Sequence, residues 1–369
     1  MDQIQEKIAR LAALFALPGT IARIDVIGHG NINKTYDVTL QDGEKSARYI
    51  FQQVNTYVFQ DPEEMMDNIS RVTAHIGALI ARQNGDPDGV MHYIARPDGS
   101  YLAYEGEECW RVCDFVPNSL AINGSNDPAL LQAAGRAFGR FQTQLSDFDA
   151  ASLHPTIRAF HNTPDRYERL VLHIEMDPCC RVAGVCPELH EILALRREAE
   201  QLYKMLQKGE LPLRVTHNDT KINNVLFDAT TKMEKTVIDL DTVMPGLVAY
   251  DFGDAIRFAA NTAAEDDPDL SHVSLDLDRF TAFAQGFVPE VASTLTRTEL
   301  ETLALGAFAI TMEQTVRFLD DYLVGDLYFK VLYPEHNLDR ARNQLALAKD
   351  MRAHLDEMRS IVLSIAKGS

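Results

Sequence analysis

The sequence predicts an α+β fold in which a small antiparallel-sheet lobe precedes a larger, mainly helical lobe. Three observations predict it. Residues 1–117 hold most of the β-branched and aromatic runs, broken by glycine turns. Residues 118–369 are dominated by long stretches with apolar residues at helical spacing. Between those stretches lies one strand-like island, 213–241. A chain of 369 residues has room for two units of ordinary size. Pro117-Asn118-Ser119 is the expected joint, giving units 1–117 and 118–369.

In the first unit, IDVIG (24–28), YDVTL (36–40) and RYIFQQV (48–54) read as a three-strand meander, with a polar glycine loop between its first two strands. Asp61-Pro62-Glu63-Glu64 opens a helix, proline in the first turn and acids at the positive end of the dipole. Met65, Met66, Ile69, Val72, Ile76, Leu79 and Ile80 carry it onward at helical spacing. Residues 101–104 and 110–116 read as a further hairpin. In the second unit, helices are expected over 130–145, 187–206, 276–287, 298–323 and 338–366.

Composition excludes several functions. With 54 Asp+Glu against 35 Lys+Arg the chain carries a net charge of −19. Neither nucleic acid nor an anionic membrane is an expected partner, because both require a basic surface. No stretch approaches about 20 apolar residues, and residues 1–10 have no apolar leader core. Five cysteines (Cys109, Cys113, Cys179, Cys180, Cys186) form no metal-type pairs and read as free thiols, so a cytoplasmic location is expected.

The chemistry concentrates in the island. An apolar run delivers His217-Asn218-Asp219; Asn224 follows five positions later and Asp239 twenty positions later, with Val225-Leu226-Phe227 and Thr236-Val237-Ile238 as flanking strands. Each residue alone reads as an ordinary turn former. In this order they suit phosphoryl transfer. One carboxylate, Asp219, accepts or orients the proton of an attacking hydroxyl. Asn224 and Asp239 offer oxygen ligands to Mg²⁺, which keeps waters and substrate phosphates for its remaining positions. Asp241, on the same side as Asp239 in an extended strand, either assists a second metal ion or caps a neighbouring backbone group. His217 packs beneath the loop on a backbone group. Asp251 caps the next helix or braces the loop.

HNDTKINNVLFD (217–228) followed by VIDLD (237–241) resembles the catalytic and metal-binding segment of the aminoglycoside phosphotransferase/choline kinase superfamily. HGNINKTYDV (29–38), FQDPEEMMDNI (59–69), VIDLDTVMPGLVAYDFGDAIR (237–257) and RFLDDYLVGDLYFKVLYPEHNLDRAR (317–342) are similar to the N-acetylhexosamine 1-kinases. The resemblance implies a protein-kinase-like bilobal fold, ATP as co-substrate, Mg²⁺, and an N-acetylhexosamine whose anomeric hydroxyl attacks the γ-phosphate. By the same resemblance Asp219 matches the catalytic aspartate, and Asn224 and Asp239 the metal ligands.

On the nucleotide side, residues 28–36 sit where a kinase places its phosphate-covering loop, since glycine lets backbone N–H groups approach an anion. Gly30, Asn31, Asn33, Lys34 and Thr35 are the candidate contacts, with Lys34 supplying charge and His29 lining the sugar pocket. The third strand departs from kinase practice: Gln52 and Gln53 stand where a base is expected, and Arg48 and Lys34 are the nearby substitutes. On the acceptor side, Arg317 lies three and four residues from Asp320 and Asp321, as an intrahelical ion pair requires. The resemblance implies instead that Arg317 and Tyr328 hydrogen-bond sugar hydroxyls or the N-acetyl carbonyl. Trp110, at the hinge strand, is expected to serve lobe packing rather than as a sugar platform.

Overall fold

The computed structural model describes residues 3–27 and 32–368. Its first layer is a helix laid across a sheet. Helix α1 (Gln3–Leu14) precedes the meander β1 (Thr20–Ile27), β2 (Lys34–Asp42) and β3 (Lys45–Val54). Helix α2 (Pro62–Arg82) follows, then β4 (Ala103–Glu105) and β5 (Glu108–Asp114). The strands form one antiparallel sheet in the order β1-β2-β3-β5-β4.

Strand alternation divides this sheet into two faces with different cores. Val38, Leu40, Phe51, Trp110 and Val112 pack with Ile8, Leu11 and Phe15 on the α1 side. Val54, Cys109 and Cys113 face the other way and join a cluster that runs through α2 into the helical part. Trp110 is fully buried beneath α1, in the packing of the first lobe.

The larger part contains β6 (Ser119–Ala121), α3 (Pro128–Gln144), α4 (Thr163–Met176), α5 (Cys186–Ala199) and α6 (Gln201–Gln207). Strands β7 (Arg214–Thr216), β8 (Val225–Asp228), β9 (Glu234–Val237) and β10 (Met244–Gly246) form its two small sheets, β6-β8-β9 and β10-β7. Helices α7 (Val248–Ala259), α8 (Leu277–Val291), α9 (Arg297–Leu323), α10 (His336–Ala353) and α11 (Leu355–Gly368) complete it. No described helix is long and apolar enough to cross a membrane.

The small-sheet, large-helical division expected from the sequence is present. Some details differ. The helix expected over 187–206 breaks at Glu200, and that over 338–366 breaks at His354. Helix α4 was not among the expected elements. The segment 117–119 is tied into the helical part: Lys235 Nζ donates to the Pro117 carbonyl at 2.9 Å and Asn118 Nδ2 to Asp228 at 2.7 Å.

Two helix crossings are tight because they meet at glycine. A Cβ on Gly306 of α9 would lie 1.9 Å from the Ala249 carbonyl of α7, and one on Gly286 of α8 would lie 2.0 Å from the Gln132 carbonyl of α3. The first crossing matters most here, because α7 carries the supports of the site.

Candidate active site

The loop after β7 is built from the inside out. His217 is fully buried, and its Nε2 donates to the Ile238 carbonyl at 2.8 Å while its Nδ1 accepts from the Asp219 amide at 3.3 Å. Those two partners fix its tautomer and place it beneath the loop. The next residue, Asn218, takes a left-handed backbone (φ +63°). That conformation costs a non-glycine residue free energy and needs external support. Helix α7 supplies it. Asp251 accepts from the His217 and Asn218 amides at 2.8 and 2.7 Å and from Gln142 Nε2 at 2.7 Å, and Asp254 accepts from the Thr220 amide at 3.0 Å. Burial raises the Asp251 carboxyl, and His217 with the two amides opposes that rise. Asp251 therefore braces the loop and caps nothing.

The hairpin brings the sequence-distant residues together. Val225 pairs with Val237, and the Ile238 amide donates to the Asn224 carbonyl at 2.9 Å, so Asn224 and Asp239 become neighbours at one end of β8 and β9. Asn224 Nδ2 donates to Asp219 Oδ2 at 3.0 Å and to its carbonyl at 2.8 Å. Lys221 Nζ holds the other oxygen, Asp219 Oδ1, at 2.8 Å. Burial would lower the Lys221 ammonium, but Asp219, with Asp254, more than offsets it and raises Lys221 above its ordinary value. Lys221 stands inside the motif that the sequence reading quoted, yet it was not singled out. Its position two residues after Asp219 was the available signal.

Asp239 also has a left-handed backbone, φ +60°. Its carboxylate opens into the cleft, and among the described residues it accepts no hydrogen bond and forms no ion pair within 4 Å. Enclosure by protein first, then the charges of Asp241 and Asp219, push it up to about 7, with Arg111 and Lys221 opposing. A carboxylate without a protein partner among the described residues, beside an amide oxygen at Asn224, is a donor set that suits a hard divalent cation. No group of three His, Cys, Asp or Glu gathers into a protein-only cage among the described residues. The residues thus fit a cation that shares its coordination with substrate phosphates.

Asp241 departs from expectation. Strand β9 ends at Val237 and residues 240–242 form a tight turn, so 239 and 241 no longer share a strand face. Asp241 is buried against Arg111 Nη2 at 2.5 Å and accepts from Asn33 Nδ2 at 2.7 Å. Its carboxylate is taken up by an ion pair with Arg111 and by Asn33, not by a backbone group.

That pair answers the question left by the third strand. Gln52 lies directly opposite Arg111 in the β3–β5 register, and Arg111 Nε donates to Gln52 Oε1 at 3.0 Å. A buried base thus stands on β5, one strand over. Arg48 is held by Asp37 at 2.8 Å and lies over the Phe115 ring. Lys34 shares the parity of Tyr36, Val38 and Leu40 and faces the α1 side, near Glu108, away from the cleft. Asn33 is committed to Asp241 and to the Asn55 amide at 3.0 Å, and Thr35 accepts weakly from Gln52 at 3.3 Å. Gly30, Asn31 and His29 lie outside the described residues.

On the acceptor side Arg317 does not pair with Asp320 or Asp321. Asp320 is bound by His173 Nδ1 at 2.6 Å, and Asp321 accepts the amides of Leu327, Tyr328 and Phe329 at 2.8–2.9 Å. Those three bonds fold the post-α9 turn back onto the helix. They place Tyr328 and Phe329 beside the Arg317 guanidinium, 5.7 and 5.3 Å from it to the ring centroids, with Phe160 at 5.6 Å. Arg317 and Tyr328 are thus together, in a wall also built by residues 160–166 that the sequence reading passed over.

The family model for phosphotransferase enzymes (APH) matches residues 23–283. Among solved structures, a microcompartment-associated aminopropanol kinase superposes with a TM-score of 0.62 at 17% identity, covering 96% of this chain and 98% of that one. A spectinomycin phosphotransferase solved with ADP and spectinomycin gives 0.58 at 14% identity, covering 96% and 98%. A choline kinase from Cryptosporidium parvum Iowa II gives 0.53 at 14% identity, covering 93% and 92%. At these identities the likeness is one of fold.

Proposed function

The chain belongs to the phosphotransferase enzyme family, and from that premise we propose that it is an ATP-dependent kinase acting on the anomeric hydroxyl of N-acetylhexosamines. The observation that carries the reading is the gathering of Asp219, Asn224 and Asp239 at one end of a braced hairpin, with Lys221 on the first of them.

In this reading Asp219 accepts the proton of the attacking hydroxyl. Lys221 and Asn224 each bond one carboxylate oxygen, which aims the group while each oxygen retains a free lone pair. Asp239 and the Asn224 side-chain oxygen would hold Mg²⁺, which supplies charge neutralisation on the phosphate oxygens. Arg111, fixed by Asp241 and Gln52, is the base that stands nearest the place of the missing third-strand cation. Arg317 and Tyr328 face the sugar. The acceptor rests on the resemblance over 317–342 and on an Arg317 left free of carboxylates.

The test is ³¹P NMR of the purified protein with ATP, Mg²⁺ and, in separate tubes, N-acetylglucosamine, N-acetylgalactosamine, an aminoglycoside and choline. A new phosphate signal coupled to an anomeric proton is expected with the two hexosamines. Turnover only with another acceptor would keep the catalytic residues and overturn the substrate. Asp219→Asn should lose about 10²–10⁴-fold in kcat while keeping ATP affinity and thermal stability; an unaffected kcat would overturn its role as base.

A further inference from the structure

The acceptor wall holds two guanidiniums, and among the described residues neither pairs with a carboxylate. Arg317 donates Nη1 to Gln314 at 2.9 Å and is otherwise ringed by aromatic side chains. Arg166, in α4, donates Nη2 to the Phe160 carbonyl at 3.2 Å, and its buried Nε has no hydrogen-bond partner among the described residues. Phe160 links the two, its carbonyl on Arg166 and its ring under Arg317.

The carboxylates nearby are all committed elsewhere. Asp165 pairs with Arg169 at 3.0 Å, Asp320 with His173, and Asp321 with the turn amides. Glu313 accepts from His161 Nδ1 at 2.9 Å and Thr163 Oγ1 at 2.7 Å. Burial pushes Glu313 up, but those donors and the charge of Arg166 hold it below its ordinary value. A half-buried arginine with an unused donor is costly unless something supplies an acceptor. Next to this group the Tyr250 hydroxyl is buried without a partner, its ring 4.9 Å from that of His161. Tyr250 immediately precedes Asp251, so the wall abuts the brace of the catalytic loop.

We propose that Arg166 acts with Arg317 as a two-guanidinium recognition site for a carbonyl-type oxygen of the acceptor, an N-acyl amide or a carboxylate, and that the pair turns away cationic acceptors. The proposal rests on the sugar-kinase reading for the location of the acceptor. It sharpens that reading, because guanidinium donors match planar carbonyl and carboxylate oxygens and repel ammonium groups. Burial, and then the like charge of Arg317, lower Arg166 from its ordinary range, which is the electrostatic load that a bound oxygen relieves.

The experiment is steady-state kinetics of wild type, Arg166→Gln and Arg166→Lys with N-acetylglucosamine, glucosamine, a hydroxy acid, ethanolamine and choline. Wild type should favour N-acetylglucosamine over glucosamine. Arg166→Gln should lose about 10–100-fold in kcat/KM for the N-acetyl sugar, chiefly through KM, and narrow that preference, with the KM for ATP unchanged. Arg166→Lys should keep the rejection of glucosamine without restoring the KM, since it retains charge but not the planar fork. If Arg166→Gln fails to fold, shown by lost ATP binding, Arg166→Lys decides, and an unchanged KM there overturns the proposal. N-acetylglucosamine turnover that ignores Arg166→Gln overturns this proposal and leaves the proposed function standing. Arg166-dependent turnover of the hydroxy acid alone overturns the sugar and supports the clamp. Wild-type preference for ethanolamine, choline or glucosamine, or no turnover of either oxygen class, overturns both.

Discussion

At the scale of single residues the site is a set of charges held in costly places. Asp239 binds its proton more tightly in the folded chain than in the unfolded one, with a value of about 7 against 3.8. The stability it lends is complete below pH 4 and is lost as pH rises toward 7. Asp239→Asn should therefore melt higher than wild type without Mg²⁺, with a gap that opens between pH 4 and 7 and stays flat above. Its size should be about 1 kcal/mol, because the open cleft screens most of the shift. Turnover should be lost at the same time. Equal melting temperatures at pH 8 would contradict this account. The buried Arg111–Asp241 pair behaves oppositely. Arg111→Gln should cost about 3–5 kcal/mol by stranding Asp241, and adding Asp241→Asn should recover much of it; additive losses in urea titrations would show the two are not coupled. Asp219, Asn224 and Asp239 were legible in the sequence because one hairpin joins them within 21 residues. Arg111 was not, because only the β3–β5 register sets it opposite Gln52. Asp241 leaves the face expected for it because the strand stops at Val237.

At the scale of elements, α7 is the scaffold of the loop after β7, and its seat on α9 is set by glycine. Gly306→Ala would bring a methyl group 1.9 Å from the Ala249 carbonyl, so the helices must part. A cost of about 1–3 kcal/mol is expected. A fall in kcat with little change in the KM for ATP should accompany it, as Asp251 and Asp254 shift with the helix. Wild-type kcat in a folded variant would mean that the loop is held by other means. The helical part was read well where periodicity ran long, and its breaks were not. Glu200 and His354 continue the polar face of their helices and offer no glycine or proline to mark a stop. Helix α1 escaped notice because its buried face is only Ile8, Leu11 and Ala12, and its purpose appears only once the sheet lies beneath it.

At the scale of the whole molecule, the division at 117 expected from the sequence does not divide the core. The apolar cluster that includes Met65, Ile69 and Val72 of α2 continues through Phe138, Phe252 and Phe308 of the helical part. Asn68 strengthens the junction by donating to the carbonyls of His154 and Val243 at 2.7 and 3.0 Å. Calorimetry should then record one main unfolding transition, and two well-separated peaks would contradict a shared core. The smaller cluster under α1 stands apart, and it holds the chain's one tryptophan. Intrinsic emission excited at the indole band consequently watches a region that the cleft does not touch. Nucleotide or acceptor titrations followed that way should be nearly flat even at saturation, whereas a red shift would announce the peeling of α1 from its sheet. For this protein, optical silence on ligand addition is not a negative binding result.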